Sequence, residues 1–250
     1  MVEIIYIDKQ IPELSRSVSC IGYFDAMHKG HQSLIRETVK SAEEKGLCPQ
    51  LICFSPDPDE VIFRKENDHL FNEEERFSIA ESFGIKRIIV IRFDEQFMNL
   101  DPSDFIHQYL DRMNIEELVC GYDFSYGKYG KGDPDLLKKE ASFSVTLIPE
   151  EQYNSCKISS TWIKETIKSG DFSLSEQLLG FTYYFIVEVA KTVQDKGKWL
   201  VVCKNKDEKL IMPHDGDYRD LFTVKDGIFY IQSDEYIEEG KILKVLAKYE

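Results

Sequence analysis

The segment Lys86–Phe93 carries the run Ile88-Ile89-Val90-Ile91, with no polar residue among the four. A strand that is apolar on both faces is covered on both faces, and that is the mark of a parallel sheet clothed by helices. The neighbouring segments repeat the theme. Ser17–Phe24, Gln50–Phe54, Glu117–Cys120 and Ser144–Ile148 read as further short strands. Between them lie helical patterns at Ser33–Lys45, Asn72–Phe83, Asp101–Met113 and Leu136–Ala141, followed by Thr161–Ser169 and Ser173–Leu179. Asn72 with Glu75 has capping-box spacing, and Asp101-Pro102 offers an N-cap with proline at the first helical position. Beyond Gly180 the pattern changes to strand candidates Tyr183–Val193, Lys198–Lys204, Lys209–Met212, Gly227–Ile231 and Lys241–Lys248. Asp195-Lys196-Gly197 and Asp226-Gly227 punctuate them as turns. The expectation is an α/β domain over residues 1–180 and a small all-β domain over 181–250.

Composition narrows the partners. The chain has 250 residues with 31 basic against 45 acidic side chains, a net charge of −14. A broad basic face for nucleic acid or anionic membrane is not expected from that balance. No apolar run reaches the ~20 residues of a membrane span. The opening residues Met1–Asp8 carry acids where a signal peptide has a basic end. A cytoplasmic protein is expected. Six scattered cysteines without a C-x-x-C pair read as reduced, structural thiols.

The chemistry concentrates in Gly22-Tyr23-Phe24-Asp25-Ala26-Met27-His28-Lys29-Gly30-His31. This stretch leaves a strand and opens a helix, at the sheet edge where such folds bind ligands. Free N–H groups and the helix dipole there attract phosphate. His28 and His31, three apart, share a face on one helical turn and offer two donors to phosphate oxygens. Gly30 between them permits close approach of a ligand to the backbone. A second stretch, Ser159-Ser160-Thr161-Trp162-Ile163-Lys164, reads either as an ordinary N-cap cluster or as a clasp for a polyphosphate.

Taken together these segments resemble the adenylyltransferase module of the prokaryotic-type bifunctional riboflavin kinase/FAD synthetase, a branch of the HxGH nucleotidyltransferases. Gly22 to His31 matches the first signature, with Ala26 in place of a glycine. Phe54-Ser55-Pro56-Asp57-Pro58 matches the second, with Asp57 where histidine is usual. Gly121-Tyr122-Asp123-Phe124-Ser125-Tyr126-Gly127 matches the third, and Ile158 to Lys164 the fourth, with lysine in place of arginine. The resemblance implies a Rossmann-like nucleotidyltransferase domain followed by a reduced, kinase-deficient barrel. It implies that FMN and ATP, with Mg²⁺, are converted to FAD and pyrophosphate. The resemblance gives His28, His31 and Lys164 the catalytic roles and the following residues the contacts. Gly22, Phe24, Asp25, Gly30, Gly121, Asp123, Ser159, Ser160 and Thr161 contact ATP, and Phe54, Pro56, Asp57, Pro58, Phe63 and Tyr126 contact the flavin. For Asp57 a solvated loop acid or a magnesium contact are the open readings, and for Phe54 core packing is the alternative. The rival functions are transfer to another phosphate acceptor and a flavin- or nucleotide-binding regulator without turnover.

The kinase half of the family carries a Gly–Phe–Pro–Thr–Ala–Asn element after its first barrel strand. Here Phe181–Val189 continues through Lys191–Lys198 into the next strand without it. No riboflavin kinase activity is therefore expected.

Overall fold

The computed structural model describes residues 1–8, 10–218 and 221–248. The chain divides into two compact units. One comprises Met1–Asn67 and Glu73–Lys157, the other Asp68–Asn72 and Ile158–Glu250.

The first unit is built in the order β1 (Glu3–Ile7), β2 (Ser17–Ile21), α1 (Lys29–Lys45), β3 (Cys48–Ser55), α2 (Pro58–Phe63), α3 (Glu73–Ser82) and β4 (Arg87–Arg92). It continues with α4 (Glu95–Met98), α5 (Pro102–Gln108), β5 (Ile115–Gly121), α6 (Pro134–Glu140), β6 (Ser144–Ile148) and a hairpin of β7 (Gln152–Tyr153) and β8 (Cys156–Lys157). Six strands form one sheet in the order β1-β4-β3-β2-β5-β6, and every neighbouring pair is parallel. The Ile88–Ile91 run is buried on both faces, as its sequence implied. The helix expected over Asp101–Met113 is shorter. Asp101 caps it by accepting from Ser103 N, Pro102 opens it, and a 3₁₀ turn over Leu110–Arg112 replaces its last part. Strand β1 and helices α2 and α4 were not foreseen. The chain runs from β2 to β3 and β4 on one side, then returns to place β5 and β6 on the other. The switch point therefore lies between the carboxyl ends of β2 and β5, where open α/β sheets bind ligands.

The second unit contains α7 (Ser160–Ser169) and α8 (Phe172–Leu179), then β9 (Tyr184–Asp195), β10 (Lys198–Asn205), β11 (Gly216–Tyr218), β12 (Phe222–Lys225), β13 (Ile228–Ser233) and β14 (Ile242–Leu246). Its sheet is antiparallel in the order β11-β12-β13-β10-β9-β14. Lys196-Gly197 and Asp226-Gly227 have positive φ at both positions, and they make the tight hairpin turns read from the sequence. The core is aromatic: Phe172, Tyr183, Phe185, Phe222 and Phe229 are all buried. Two findings differ from the sequence reading. Helices α7 and α8 group with the β strands instead of with the parallel sheet. Lys209–Met212 is not a strand of the sheet. Asp207 turns the chain by accepting from the backbone N–H groups of Lys209 and Leu210, and the segment instead brackets His69 through His69 N to Lys209 O and Ile211 N to His69 O. Alternation alone does not distinguish a short bridge from a strand.

Among the described residues all six cysteines are free thiols. Burial pushes Cys20, Cys53 and Cys120 up to about 12, which suits packing and not nucleophilic chemistry. No helix among the described residues is long and apolar enough to cross a membrane.

Candidate active site

Residues 22–28 link β2 to α1 at the switch point. The linker is buried despite being a loop: Phe24, Asp25, Ala26, Met27 and His28 are all less than a tenth exposed. Phe24 and Met27 hold φ near +60° and +48° without being glycine. Such bulky residues adopt that region only where the surroundings impose it, and positions of this kind gather at functional sites. Gln32 helps impose it by donating from Nε2 to Met27 O at 2.8 Å.

His28 is not on the first turn of the helix with His31, as the spacing suggested, but one position before it. It is the N-cap of α1, and its Nδ1 accepts from His31 N at 3.3 Å. The consequence is face-to-face stacking: the two imidazole rings lie 3.8 Å apart, inclined by 12°. The Phe24 ring sits 5.1 Å from His31 on another side. Gly30 has a structural reason to be glycine, because a Cβ there would stand 3.1 Å from Cε1 of His28. Burial pulls the His28 pKa down to about 4, and this outweighs the Asp25 carboxylate nearby. Burial again, then His28 and Arg76, hold His31 well below the ordinary histidine value. Both rings are neutral at pH 7, each with one N–H to donate and one nitrogen to accept. Nδ1 of His31 is buried without a hydrogen-bond partner.

The loop after β5 meets this site on its other side. A Cβ on Gly121 would lie 3.0 Å from Oδ1 of Asp123, a close approach in the turn. Asp123 pairs with Lys157 at the end of β8, and Tyr122 donates from Oη to Glu150 Oε2 at 2.9 Å. Ser33 of α1 donates to Glu151 Oε1 at 2.7 Å and ties the hairpin to the histidine helix. The Lys157 cation acts on His28 and lowers its proton affinity. Two basic residues near the histidines therefore escaped the sequence reading. Arg76 lies in the middle of a polar helix with no motif around it. The signal for Lys157 was its place two residues before the hydroxyl run.

The remaining expected residues divide. Asp57 is not a solvated loop acid. It is 7 % exposed and caps α2, with Oδ1 accepting from Asp59 N at 2.9 Å and Oδ2 from Asn67 Nδ2 at 3.3 Å, while Pro58 opens the helix. Phe54 packs in the core against Phe93 and Phe97, and Tyr126 against Phe105 and Phe124. Phe63 is exposed at the end of α2, and Pro56, seven residues earlier, is also exposed. Ser159, Ser160, Thr161 and Lys164 belong to the second unit. There Ser159 is the N-cap of α7 and accepts from Trp162 N at 3.3 Å.

Residues 10–162 match the family model described as FAD synthetase. The chain belongs to the FAD synthetase family. A bifunctional riboflavin kinase/FMN adenylyltransferase of Bacillus subtilis (strain 168) is 38% identical over 178 residues, which is 69% of this chain and 56% of that protein. A protein named FAD synthetase from Listeria monocytogenes serovar 1/2a is 31% identical over 173 residues, covering 67% of this chain and 70% of its own length. The chain thus spans about half the length of the bifunctional relatives it matches. A crystal structure titled as a macrolide-efflux protein from Streptococcus pneumoniae superposes with a TM-score of 0.83 over 99% of this chain and 90% of its own, at 24% identity. At that identity the likeness shows a shared fold.

Proposed function

We propose that this member of the FAD synthetase family transfers the adenylyl group of ATP to FMN, giving FAD and pyrophosphate. The observation that carries the reading is the stacked, neutral pair His28 and His31 at the N-terminus of α1, beside the switch point of a parallel sheet. The terminal phosphate oxygen of FMN attacks the α-phosphorus of ATP in line. A new P–O bond forms, the bond from the α-phosphorus to the α,β-bridging oxygen breaks, and its electron pair leaves with pyrophosphate. FMN brings an oxygen that is already anionic, so the site needs no general base. What the site must supply is position and N–H donors for charge building on the α-phosphoryl oxygens. Neutral imidazoles donate without releasing a proton. Lys157, paired with Asp123, adds a cation on the same side of the unit. Ser159, Ser160, Thr161 and Lys164 are assigned the distal phosphates through the match of their run to the family's fourth signature.

Mg²⁺ would enter as the counter-ion of ATP and would offset charge on its phosphates. Among the described residues no three His, Cys, Asp or Glu side chains gather into a metal site. Exposed Phe63 is assigned the isoalloxazine ring, with Pro56 near it in the chain. The reaction is assigned to the cytoplasm, where ATP is available.

The second unit is assigned no riboflavin kinase activity. Phosphorylating a neutral hydroxyl needs both a base and a phosphate clamp. What supports the absence is the passage from β9 to β10 through the turn at Lys196-Gly197, which leaves no segment for a Pro–Thr–Ala–Asn element.

One assay tests these assignments. Purified protein is incubated with ATP, Mg²⁺ and either FMN, riboflavin, phosphopantetheine or nicotinamide mononucleotide, and pyrophosphate and flavin products are measured. FAD and pyrophosphate are expected from FMN alone. No FAD at micromolar enzyme with both substrates saturating overturns the main reading, and FMN formed from riboflavin overturns the second.

A further inference from the structure

Arg76 sits on α3, only 6 % exposed, in a part of the first unit that no family signature covers. Its Nη1 donates to Tyr23 O at 2.9 Å, and its guanidinium carbon lies 4.7 Å from the centre of the Tyr23 ring. Tyr23 is the residue before Phe24, where the backbone turns to positive φ. Arg76 therefore grips the entry of the histidine loop as Gln32 grips its exit at Met27. Its Nε is buried and makes no hydrogen bond, as is Nδ1 of His31. Two unsatisfied buried nitrogens in one site are expensive, and fold stability alone gives no reason to keep them.

We propose that Arg76 is a positioning residue for adenylyl transfer: it clamps the histidine loop through Tyr23 and holds a buried positive charge at the entry of that loop. The charge has a direction. The His28 and Phe24 rings pack against His31; the Arg76 charge acts on His31 through space, and the Asp25 and Lys157 charges act on His28. A cation acting on His31 opposes its protonation, so the ring stays a neutral donor when anionic phosphates arrive and would otherwise draw a proton onto it. Arginine suits this place because its guanidinium stays protonated even when buried, and its planar fork can stack and donate together.

The test uses R76Q, which keeps an N–H donor and loses the charge, and R76K, which keeps the charge and loses the fork. The ring C–H signals of the five histidines are followed by NMR against pH, with His31 assigned by its loss in H31N. The expected result is that His31 begins to titrate at higher pH in R76Q than in the wild type, and that R76K keeps the wild-type behaviour. In FAD formation, kcat of R76Q falls by about 10²-fold, the cost of a misplaced reacting group, its acid limb moves to higher pH, and R76K recovers at least about tenfold of it. An unmoved His31 titration in folded R76Q overturns the proposal, because a purely structural arginine would lower kcat at every pH alike. Should R76Q fail to fold, R76K decides. Wild-type His31 titration with most of the turnover supports the proposal, and lost turnover with that titration intact overturns it. The kinetic arm rests on the adenylyl-transfer reading, whereas the NMR arm does not. A wild type that makes no FAD would sink the former and leave the latter to decide the role of Arg76.

Discussion

The two ends of the parallel sheet bury charge in opposite ways. At the amino ends of the strands the buried ionisable groups Glu117 and Arg87 have full sets of partners. Glu117 on β5 accepts from Lys45, from Ser41 Oγ at 2.5 Å and from Thr146 Oγ1 at 2.5 Å. Arg87 on β4 donates to Glu3 Oε2 at 2.8 Å, to Ser15 and to Gln50 Oε1 at 3.3 Å, and Gln50 donates onward to Ser19. Burial raises the Glu117 carboxyl, but the hydrogen bonds from Lys45, Ser41 and Thr146 outweigh it and the net shift is downward. At the carboxyl ends His31 and Arg76 keep nitrogens without partners, and Phe24 and Met27 keep positive φ. Around Glu117 and Arg87 polar atoms are satisfied and hold the fold; around His31 and Arg76 buried nitrogens are left unsatisfied. Unsatisfied groups cost about 1–3 kcal/mol each, so a protein retains them where they do something else.

This contrast makes activity and stability separable by position. The largest effect expected is that of H31A at the carboxyl end. FAD formation should lose ~10²–10³ in kcat, the size of one missing oxyanion donor, with little change in melting temperature because a poorly satisfied ring is removed. A kcat near wild type would mean that the histidine pair serves structure, and the contrast would collapse.

The next effect is a pH window. The unfolded chain takes up a proton at His28 near the ordinary value of ~6.5, while the folded chain does so only near about 4. As pH falls between those values the unfolded state binds more protons, so stability is complete above the window and falls within it, by at most ~3 kcal/mol. His31 acts in the same direction. Glu117 works lower: its contribution is present above the unfolded carboxylate value and is lost as pH falls through its depressed folded value. Urea midpoints measured from pH 8 to pH 4 should show the histidine slope, and H28N, which can still cap α1, should flatten it. An equal slope in H28N would place the titration elsewhere.

At the amino end E117A should cost about 1–3 kcal/mol, because Ser41 and Thr146 lose their acceptor and Lys45 its charge partner. That corresponds to a melting temperature lower by about 2–4 °C per kcal/mol for a chain of this size. The kcat of the folded enzyme should stay within about twofold, since no Glu117 contact reaches the histidine loop. Lost turnover in fully folded E117A would show that the two ends are coupled.

How much of this was legible beforehand follows from where the information sits. Ile88–Ile91 announces a strand covered on both faces, because four consecutive apolar residues have no other satisfactory place in a chain this charged. Gly22 to His31 announces the site, because glycines, histidines and a helix start coincide within ten residues. Helices α7 and α8 read well as helices, but local periodicity says nothing about which sheet they pack on. The cap role of His28 was hidden because helix spacing counts residues and does not show where the first turn begins. Arg76 was invisible: its importance comes from Tyr23, far away in sequence and met only in the folded unit. Asp57 was legible as a departure from the family but not as a cap, since capping depends on a six-residue helix that no apolar period marks.

The smallest effect expected sharpens the contrast most, because it separates position from satisfaction. Asp94 follows β4 at the carboxyl end of the sheet, yet it resembles the groups at the amino end. Its Oδ1 accepts from Gln96 N and Phe97 N, both at 2.9 Å, and caps α4. Its other oxygen lies 3.7 Å from Nε of Arg92 across exposed surface, where an ion pair adds little. If satisfaction and not location decides what a residue is for, D94A should cost roughly the ~0.5–1 kcal/mol of a lost cap on a short helix and leave kcat unchanged. D94N, which keeps the accepting oxygen and drops the charge, should restore nearly all of that stability. Melting curves for the three proteins, read beside their rates of FAD formation, decide the matter. If D94N fails to recover stability, the Arg92 pair matters more than the cap. If either variant loses turnover, location at the carboxyl end matters by itself, and the division between a satisfied end and an unsatisfied end is too simple.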